Sequence, residues 1–104
     1  MEFTLSKSSR AGKKFMIKHG NKTIHFGNSD YEDYTQHGDD DRKQKYLARH
    51  KKREDWGDPL TAGFWSVHLL WHMKTIPKAI KDIERRFKIK IINNIAAASK
   101  ERKD

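Results

Sequence analysis

The sequence predicts a small α+β domain, and two patterns lead to that prediction. The first is a β-hairpin pattern over residues 14–27, and the second is a set of apolar residues at helical spacing between residues 39 and 87. A chain of 104 residues has room for one domain. Its core is expected to be thin, because a short chain buries a smaller share of its surface than a long one does.

The hairpin is predicted by a single strand register. Gly20-Asn21 suits a two-residue loop that needs positive φ, and a loop of that length fixes which residues lie opposite each other. One face then holds the apolar pairs Phe15 with Phe26 and Ile17 with Ile24. The other face holds the pairs Met16 with His25 and Lys18 with Thr23. A register that gathers four apolar side chains on one side favours a half-buried sheet.

Three helices are predicted after the hairpin. The first begins at Asp39 or Asp40 as N-cap and runs to about Arg53, and its low apolar content predicts a surface position. The second follows Thr61 as N-cap, runs from Ala62 to about His72, and is apolar on nearly every side, as is typical of a buried central helix.

The third helix begins near Ile76-Pro77, where proline suits the first turn. The residues Ile76, Ile80, Ile83 and Phe87 repeat along one face of it. Beyond this helix, Ile89, Ile91 and Ile92 predict a short final strand that joins the hairpin.

These elements place the folded domain at residues 14–92. Residues 1–13 are interpreted as a basic flexible arm, because residues 6–13 show no period. Residues 28–41 are interpreted as a polar, acidic loop, and residues 93–104 as a charged tail or frayed helix.

The composition excludes several classes of protein. The absence of cysteine rules out disulfides, cysteine-based zinc sites and thiol catalysis. The apolar runs are too short to span a bilayer, and the first residues lack a signal-peptide pattern, so neither membrane insertion nor secretion is expected. The formal net charge of +9 favours an acidic or polyanionic partner.

The strongest candidate site is the basic stretch 42–53, which contains seven basic and no acidic residues. Helical spacing places three arginines and a tyrosine on one stripe, which suits phosphates or carboxylates. The predicted partner-binding residues are Arg42, Tyr46, Arg49, Lys52, Arg53, Lys13 and Lys14. The alternative is a solvated charged face that pairs with the acidic loop and with Glu54, Asp55 and Asp58.

Two other groups of residues have types and spacings that can support chemistry. His68 and His72 have the spacing of two metal ligands on one helix face, but a third ligand is missing nearby and Leu69 stands where a metalloprotease helix has its glutamate. Imidazoles hydrogen-bonded at the edge of the core are therefore expected instead. A tyrosine-nuclease cluster would draw on Tyr34, His37, Arg42, Tyr46 and His50, yet such residues beside a basic helix are more often surface contacts.

The sequence thus predicts no enzyme activity, no metal, no cofactor and no small-molecule substrate. The expected partners are macromolecules.

Several motifs carry a resemblance to a viral family. They are Lys22-Thr23-Ile24-His25-Phe26-Gly27, Asp33-Tyr34-Thr35-Gln36-His37, the stretch from Arg49 to Trp56, and above all Thr61-Ala62-Gly63-Phe64-Trp65-Ser66. Over about residues 8–92 the chain resembles a small uncharacterised domain family of nucleocytoplasmic large DNA viruses, including the algal and giant-virus branches. It departs from the expected pattern in Tyr31-Glu32 and in Asp40-Asp41, where a proline and an acidic residue are more usual. The family has no established activity, so the resemblance implies a viral setting only.

In that setting two functions are open. The expected one is a minor structural protein of the virion, made in the host cytoplasm, that binds major or other minor capsid proteins of a large icosahedral virus through basic and aromatic surfaces. The alternative is a basic protein that binds nucleic acid without sequence specificity during genome packaging. The acidic loop favours the capsid function, because its charge repels phosphates.

Exposure of aromatic residues separates the two functions. A capsid protein is expected to present an apolar surface patch. A nucleic-acid-binding protein is expected to bury Trp56, Trp65 and Trp71 beneath a basic surface.

Overall fold

A computed structural model describes residues 1–95 as a four-stranded sheet that packs one face against helices. The strands are β1 (Glu2–Lys7), β2 (Lys13–His19), β3 (Lys22–Asn28) and β4 (Lys90–Asn93), in the spatial order β3-β2-β1-β4. The helices are α1 (Tyr34–His37), α2 (Asp40–His50), α3 (Ala62–Trp65) and α4 (Ile76–Phe87), and α3 continues directly into a π-helical segment (Ser66–Trp71). The predicted α+β class is confirmed.

The β2-β3 hairpin has the predicted register. Phe15 lies opposite Phe26 and Ile17 opposite Ile24, while Met16 with His25 and Lys18 with Thr23 form the alternating pairs. Gly20 in the loop has a φ of 58°, a conformation that glycine adopts without steric cost. The cross-strand apolar pattern was therefore sufficient to define this part of the sheet.

The interpretation of residues 1–13 as a flexible arm is wrong for residues 2–7. These residues form β1, which pairs antiparallel with β2 and parallel with β4 at the centre of the sheet. The physical reason is the alternation of Phe3 and Leu5 with polar residues, which places both apolar side chains in the core without exposed surface. The folded domain therefore begins at residue 2 and not at residue 14.

The C-terminal strand is confirmed, but its predicted neighbour is wrong. β4 pairs with β1, and β1 separates it from the hairpin. The backbone N–H of Ile91 also donates to Oε2 of Glu84 at 2.9 Å, which ties the strand to α4. Of the predicted tail 93–104, residues 96–104 lie outside the described residues.

The helix boundaries follow the predicted caps. Asp39 accepts hydrogen bonds from the backbone of Asp41 and Arg42 at the start of α2, and Thr61 accepts from Phe64 at the start of α3. Proline lies in the first turn of α4 as predicted, and the cap of this helix, which the sequence did not predict, is Thr75. α2 ends at His50, before the predicted end at Arg53.

The acidic loop contains a structured turn that the sequence did not predict. Asp33 caps α1, its side chain accepts from Thr35 N, and Gln36 completes a capping box. Asp33 and Tyr34 are both buried. This part of the loop is therefore fixed against the domain.

The core lies between the inner face of the sheet and the central helix. Trp65 is completely buried, and its ring lies 5.3 Å from Phe3 and 6.3 Å from Phe26, between centroids. Its indole N–H donates to the carbonyl of Pro59 at 2.8 Å. The predicted central position of this helix is confirmed. No helix within residues 1–95 is long and apolar enough to cross a bilayer.

Candidate functional site

A groove of about 710 Å³ opens between α2, the last residues of β3 and the central helix. Five of the seven predicted partner-binding residues line it, namely Lys13, Lys14, Arg42, Tyr46 and Arg49. Lys52 and Arg53 do not line the groove; they are exposed in the turn that follows α2. The structure therefore brings two predicted lysines from β2 to the same site as the basic helix.

Gly27 shapes the floor of this groove. Its φ is 80°, and a Cβ atom there would lie 2.9 Å from Cδ1 of Leu70 and 3.3 Å from Cβ of Lys14. Any larger residue would be strained by its backbone and would crowd the core below. The glycine therefore lets β3 approach the central helix closely.

Lys14 is held by an ion pair and is not free to bind a partner. Its Nζ lies 2.7 Å from Oδ2 of Asp33 and 2.6 Å from Oε1 of Gln36. The side chains of Lys14 and Asp33 are only 14% and 4% exposed. This pair fixes the acidic loop to β2 along one edge of the groove.

Tyr46 lies in the wall of the groove, which corrects the prediction that its phenol meets a partner beside the arginines. Its ring stacks on Trp71 at 4.2 Å with an interplanar angle of 4°, and on His50 at 4.1 Å. Burial raises the pKa of the phenol, so the hydroxyl stays protonated. Tyr46 therefore supports the wall of the groove.

Glu54 was expected to pair with the charged face of the basic stretch, but within residues 1–95 it contacts His50 and Trp56 and has a structural role. Its carboxylate accepts from Nε1 of Trp56 at 2.9 Å and lies 3.2 Å from Nδ1 of His50. A Cβ atom on Gly63 would lie 2.9 Å from Cδ of Glu54, so glycine makes room for this side chain. Gly63, which belongs to the Thr61–Ser66 motif, thus leaves space for the Glu54 side chain in the wall of the groove.

The other lysines and arginines of the groove and of the basic stretch 42–53 differ in whether a carboxylate lies beside them. Arg42 lies 3.4 Å from Glu32, and Lys45 lies 3.2 Å from Asp41, both in exposed pairs. Within residues 1–95, no carboxylate lies within 4.0 Å of the ammonium or guanidinium groups of Lys13, Arg49, Lys51, Lys52 and Arg53. The alternative of a charged face that pairs with the acidic loop therefore applies to Arg42 and Lys45 and not to the rest of this set.

Both tyrosines of the nuclease-like cluster have structural roles. The hydroxyl of Tyr34 donates to Oδ1 of Asp40 at 2.5 Å, and this hydrogen bond raises the pKa of the phenol. Tyr46 is buried between two rings. A raised pKa disfavours the phenolate form that a nucleophilic tyrosine would use.

At the edge of the core, His68 is hydrogen-bonded and His72 lies close to a carboxylate. Nε2 of His68 donates to the carbonyl of Trp56 at 2.7 Å, and Nδ1 accepts from Arg86 at 3.0 Å. Nε2 of His72 lies 3.6 Å from Asp82, which also pairs with Arg86. Both nitrogens of His68 are therefore occupied, and within residues 1–95 no group of three or more potential ligands is arranged for a metal.

The burial of His68 predicts a pH-dependent stability. Burial, followed by the charge of Arg86, lowers the pKa of His68 below its ordinary value of 6.5. The folded state therefore binds its proton less readily than the unfolded state, and stability is lost as the pH falls below about 6.5 through the folded pKa.

We expect the free energy of unfolding, measured with urea, to fall between about pH 7 and pH 5. His68→Gln, whose amide replaces the Nε2 donor, should have a shallower fall. His72→Gln measures the part due to His72, whose pKa burial also lowers. Equal pH dependence in the wild type and His68→Gln would contradict the assignment.

Fold and groove together define the chain as a small α+β domain with a basic surface site. Residues 3–50 match the model of a family of unknown function, DUF5754. This segment runs from β1 to the end of α2 and includes all five lysines and arginines that line the groove. No curated protein and no solved structure matches the chain.

Proposed function

We propose that this domain binds nucleic acid through its phosphates, by way of the groove and the basic turn after α2. The observation that carries the proposal is the set of cations without a carboxylate partner within residues 1–95, which continues from Lys13 and Arg49 to Lys51, Lys52 and Arg53. Such cations bind phosphates without first giving up an internal ion pair.

The arrangement of the acidic residues supports the same function. Asp33 is buried against Lys14, Asp39 caps α2, and Asp40 accepts from Tyr34. The charges of Asp33, Glu32 and Asp41 are offset by Lys14, Arg42 and Lys45, so the acidic loop repels phosphates less than its composition suggests.

The exposure of the aromatic residues also favours nucleic acid over an apolar capsid contact. Trp65 is fully buried, and Trp56 and Trp71 are half-buried. Within residues 1–95, the large hydrophobic side chains that are exposed are Met1, Tyr31 and Ile92. An extended apolar docking patch would need more than these side chains.

Salt dependence tests this function. A labelled oligonucleotide is titrated with the protein across a range of salt concentrations, alone and annealed to its complement. We expect the logarithm of affinity to fall with the logarithm of salt at a slope that implies about six or more neutralised phosphates. The triple variant Arg42→Ala, Arg49→Ala and Arg53→Ala should lose about half of that slope and remain folded, because exposed ion pairs contribute only about 0–1 kcal/mol each.

A matched control removes the same charge elsewhere. Lys74, Lys78 and Lys81 are exposed at the start of α4 and on its surface, and their triple alanine variant should retain most of the slope. A slope near zero, or equal losses in both triple variants, would refute the proposal.

One observation favours the second candidate, a minor capsid protein of a large DNA virus. Glu32 and Glu54 line the groove beside the arginines, and a mixture of charges with an exposed tyrosine is typical of protein interfaces. This function predicts a slope near zero together with tight binding to an isolated shell protein. In purified particles, the chain would then remain with the shell after the genome is released.

A further inference from the structure

The groove contains one aromatic ring that is free to stack on a ligand. Tyr31 lines the groove and is 70% exposed. Trp71 and His50 stack on Tyr46, and Phe26 is buried. Among the described aromatic residues of the groove, Tyr31 is therefore the one placed to receive a partner.

The backbone is fixed on both sides of Tyr31, by hydrogen bonds on one side and by an ion pair on the other. Its backbone N–H donates to the carbonyl of Asn28 at 3.3 Å, and the side chain of Asn28 accepts from Asp30 N at 2.9 Å. On the other side, Asp33 is buried and fixed by the ammonium of Lys14. Because the backbone on both sides of Tyr31 is fixed, the residue loses little backbone freedom when a ligand stacks on its ring, which favours binding.

Cations line the same groove, and they come from β2 and from α2. Lys13 comes from β2, and Arg42, Lys45 and Arg49 repeat along one face of α2. The Arg42–Glu32 pair is 47% and 60% exposed, so a phosphate can replace the carboxylate at little cost. A positively charged groove with an accessible aromatic ring is the arrangement that binds single strands.

We infer that the groove binds single-stranded nucleic acid, with an unpaired base stacked on Tyr31 and the neighbouring phosphates held by Lys13 and Arg49. This inference rests on the proposed function and narrows its ligand. A base within a duplex is stacked on both sides, so only an unpaired base has a face free for the tyrosine ring. The volume of about 710 Å³ lies in the range of pockets that hold small ligands, which suits one or two nucleotides better than a duplex.

The test compares a labelled DNA strand, an RNA strand of the same sequence and the DNA duplex, by fluorescence anisotropy. The wild-type chain should bind the single strands more tightly than the duplex. Tyr31→Ala should weaken single-strand binding about 5- to 150-fold, the equivalent of about 1–3 kcal/mol per stacked base, and leave duplex binding unchanged. Tyr31→Phe keeps the ring and should retain the affinity. Because Tyr31 is exposed, circular dichroism should show both variants to be folded.

The outcomes separate the inference from the proposed function. Equal binding of strand and duplex, with no effect of Tyr31→Ala, would overturn the inference and leave nucleic-acid binding in place. No binding of any oligonucleotide would overturn both. Tighter binding of RNA or of DNA, with loss in Tyr31→Ala, would support the inference and identify the sugar that the groove prefers.

Discussion

Replacing Trp65 by alanine is expected to lower the free energy of unfolding by about 3–5 kcal/mol. The indole is completely buried between the sheet and the central helix, and its ring contacts Phe3, Phe26 and Phe64. The alanine variant leaves a cavity at the centre of a thin core and removes the donor to Pro59. Because a domain of this kind has only about 5–15 kcal/mol in total, a large part of its stability would be lost.

Urea unfolding followed by far-ultraviolet circular dichroism measures this loss. Trp56→Ala serves as the matched control, since Trp56 is half-buried and its indole N–H bonds to Glu54 near the surface. It should cost less than Trp65→Ala, because less apolar surface is lost. Equal costs for the two variants would contradict the assignment of Trp65 to the centre of the core.

Local sequence patterns predicted most of the elements because each has its own signal. The hairpin register followed from four apolar residues, and the caps Asp39 and Thr61 and the proline of α4 marked the helix starts. β1 carried the same kind of signal in Phe3 and Leu5. That signal was missed because the strand has only two inward apolar residues and is followed by an aperiodic polar segment.

The neighbours of the strands could not be predicted from local patterns. The pairing of β4 with β1 joins the two ends of the described chain, and no turn connects them. Two parallel strands are joined by a long crossover connection. No short sequence signal, such as a hairpin turn, therefore indicates that these two strands pair. Adjacency of this kind depends on how the whole core closes.

The candidate site was predicted in part, for a similar reason. Helical spacing correctly placed Arg42 and Arg49 together, but it gave no indication of which neighbours cover Tyr46. The contact between Glu54 and Gly63 depends on the path of the loop between α2 and α3. Charge patterns identify a basic surface, whereas the pairing of its members depends on tertiary structure.

Replacing Asp33 by alanine is expected to have the second large effect, a loss of about 3–5 kcal/mol. Its carboxylate is buried, accepts from the backbone and hydroxyl of Thr35, and pairs with Lys14 at 2.7 Å. Without it, the ammonium of Lys14 is left in a site where its side chain is only 14% exposed. An unpaired buried charge costs more than the net contribution of the pair, because the desolvation of the charge is no longer offset.

Comparison with a second capping aspartate, Asp39, separates the contribution of the ion pair to stability from that of the helix cap. Asp39 caps α2 but is exposed and holds no buried cation, so Asp39→Ala should cost only about 1 kcal/mol. The double variant Lys14→Met, Asp33→Ala removes both charges and should recover part of the stability lost in Asp33→Ala. Chemical denaturation of the three variants measures these differences. If Asp33→Ala costs no more than Asp39→Ala, or if the double variant is less stable than Asp33→Ala, the buried pair does not hold the acidic loop against β2.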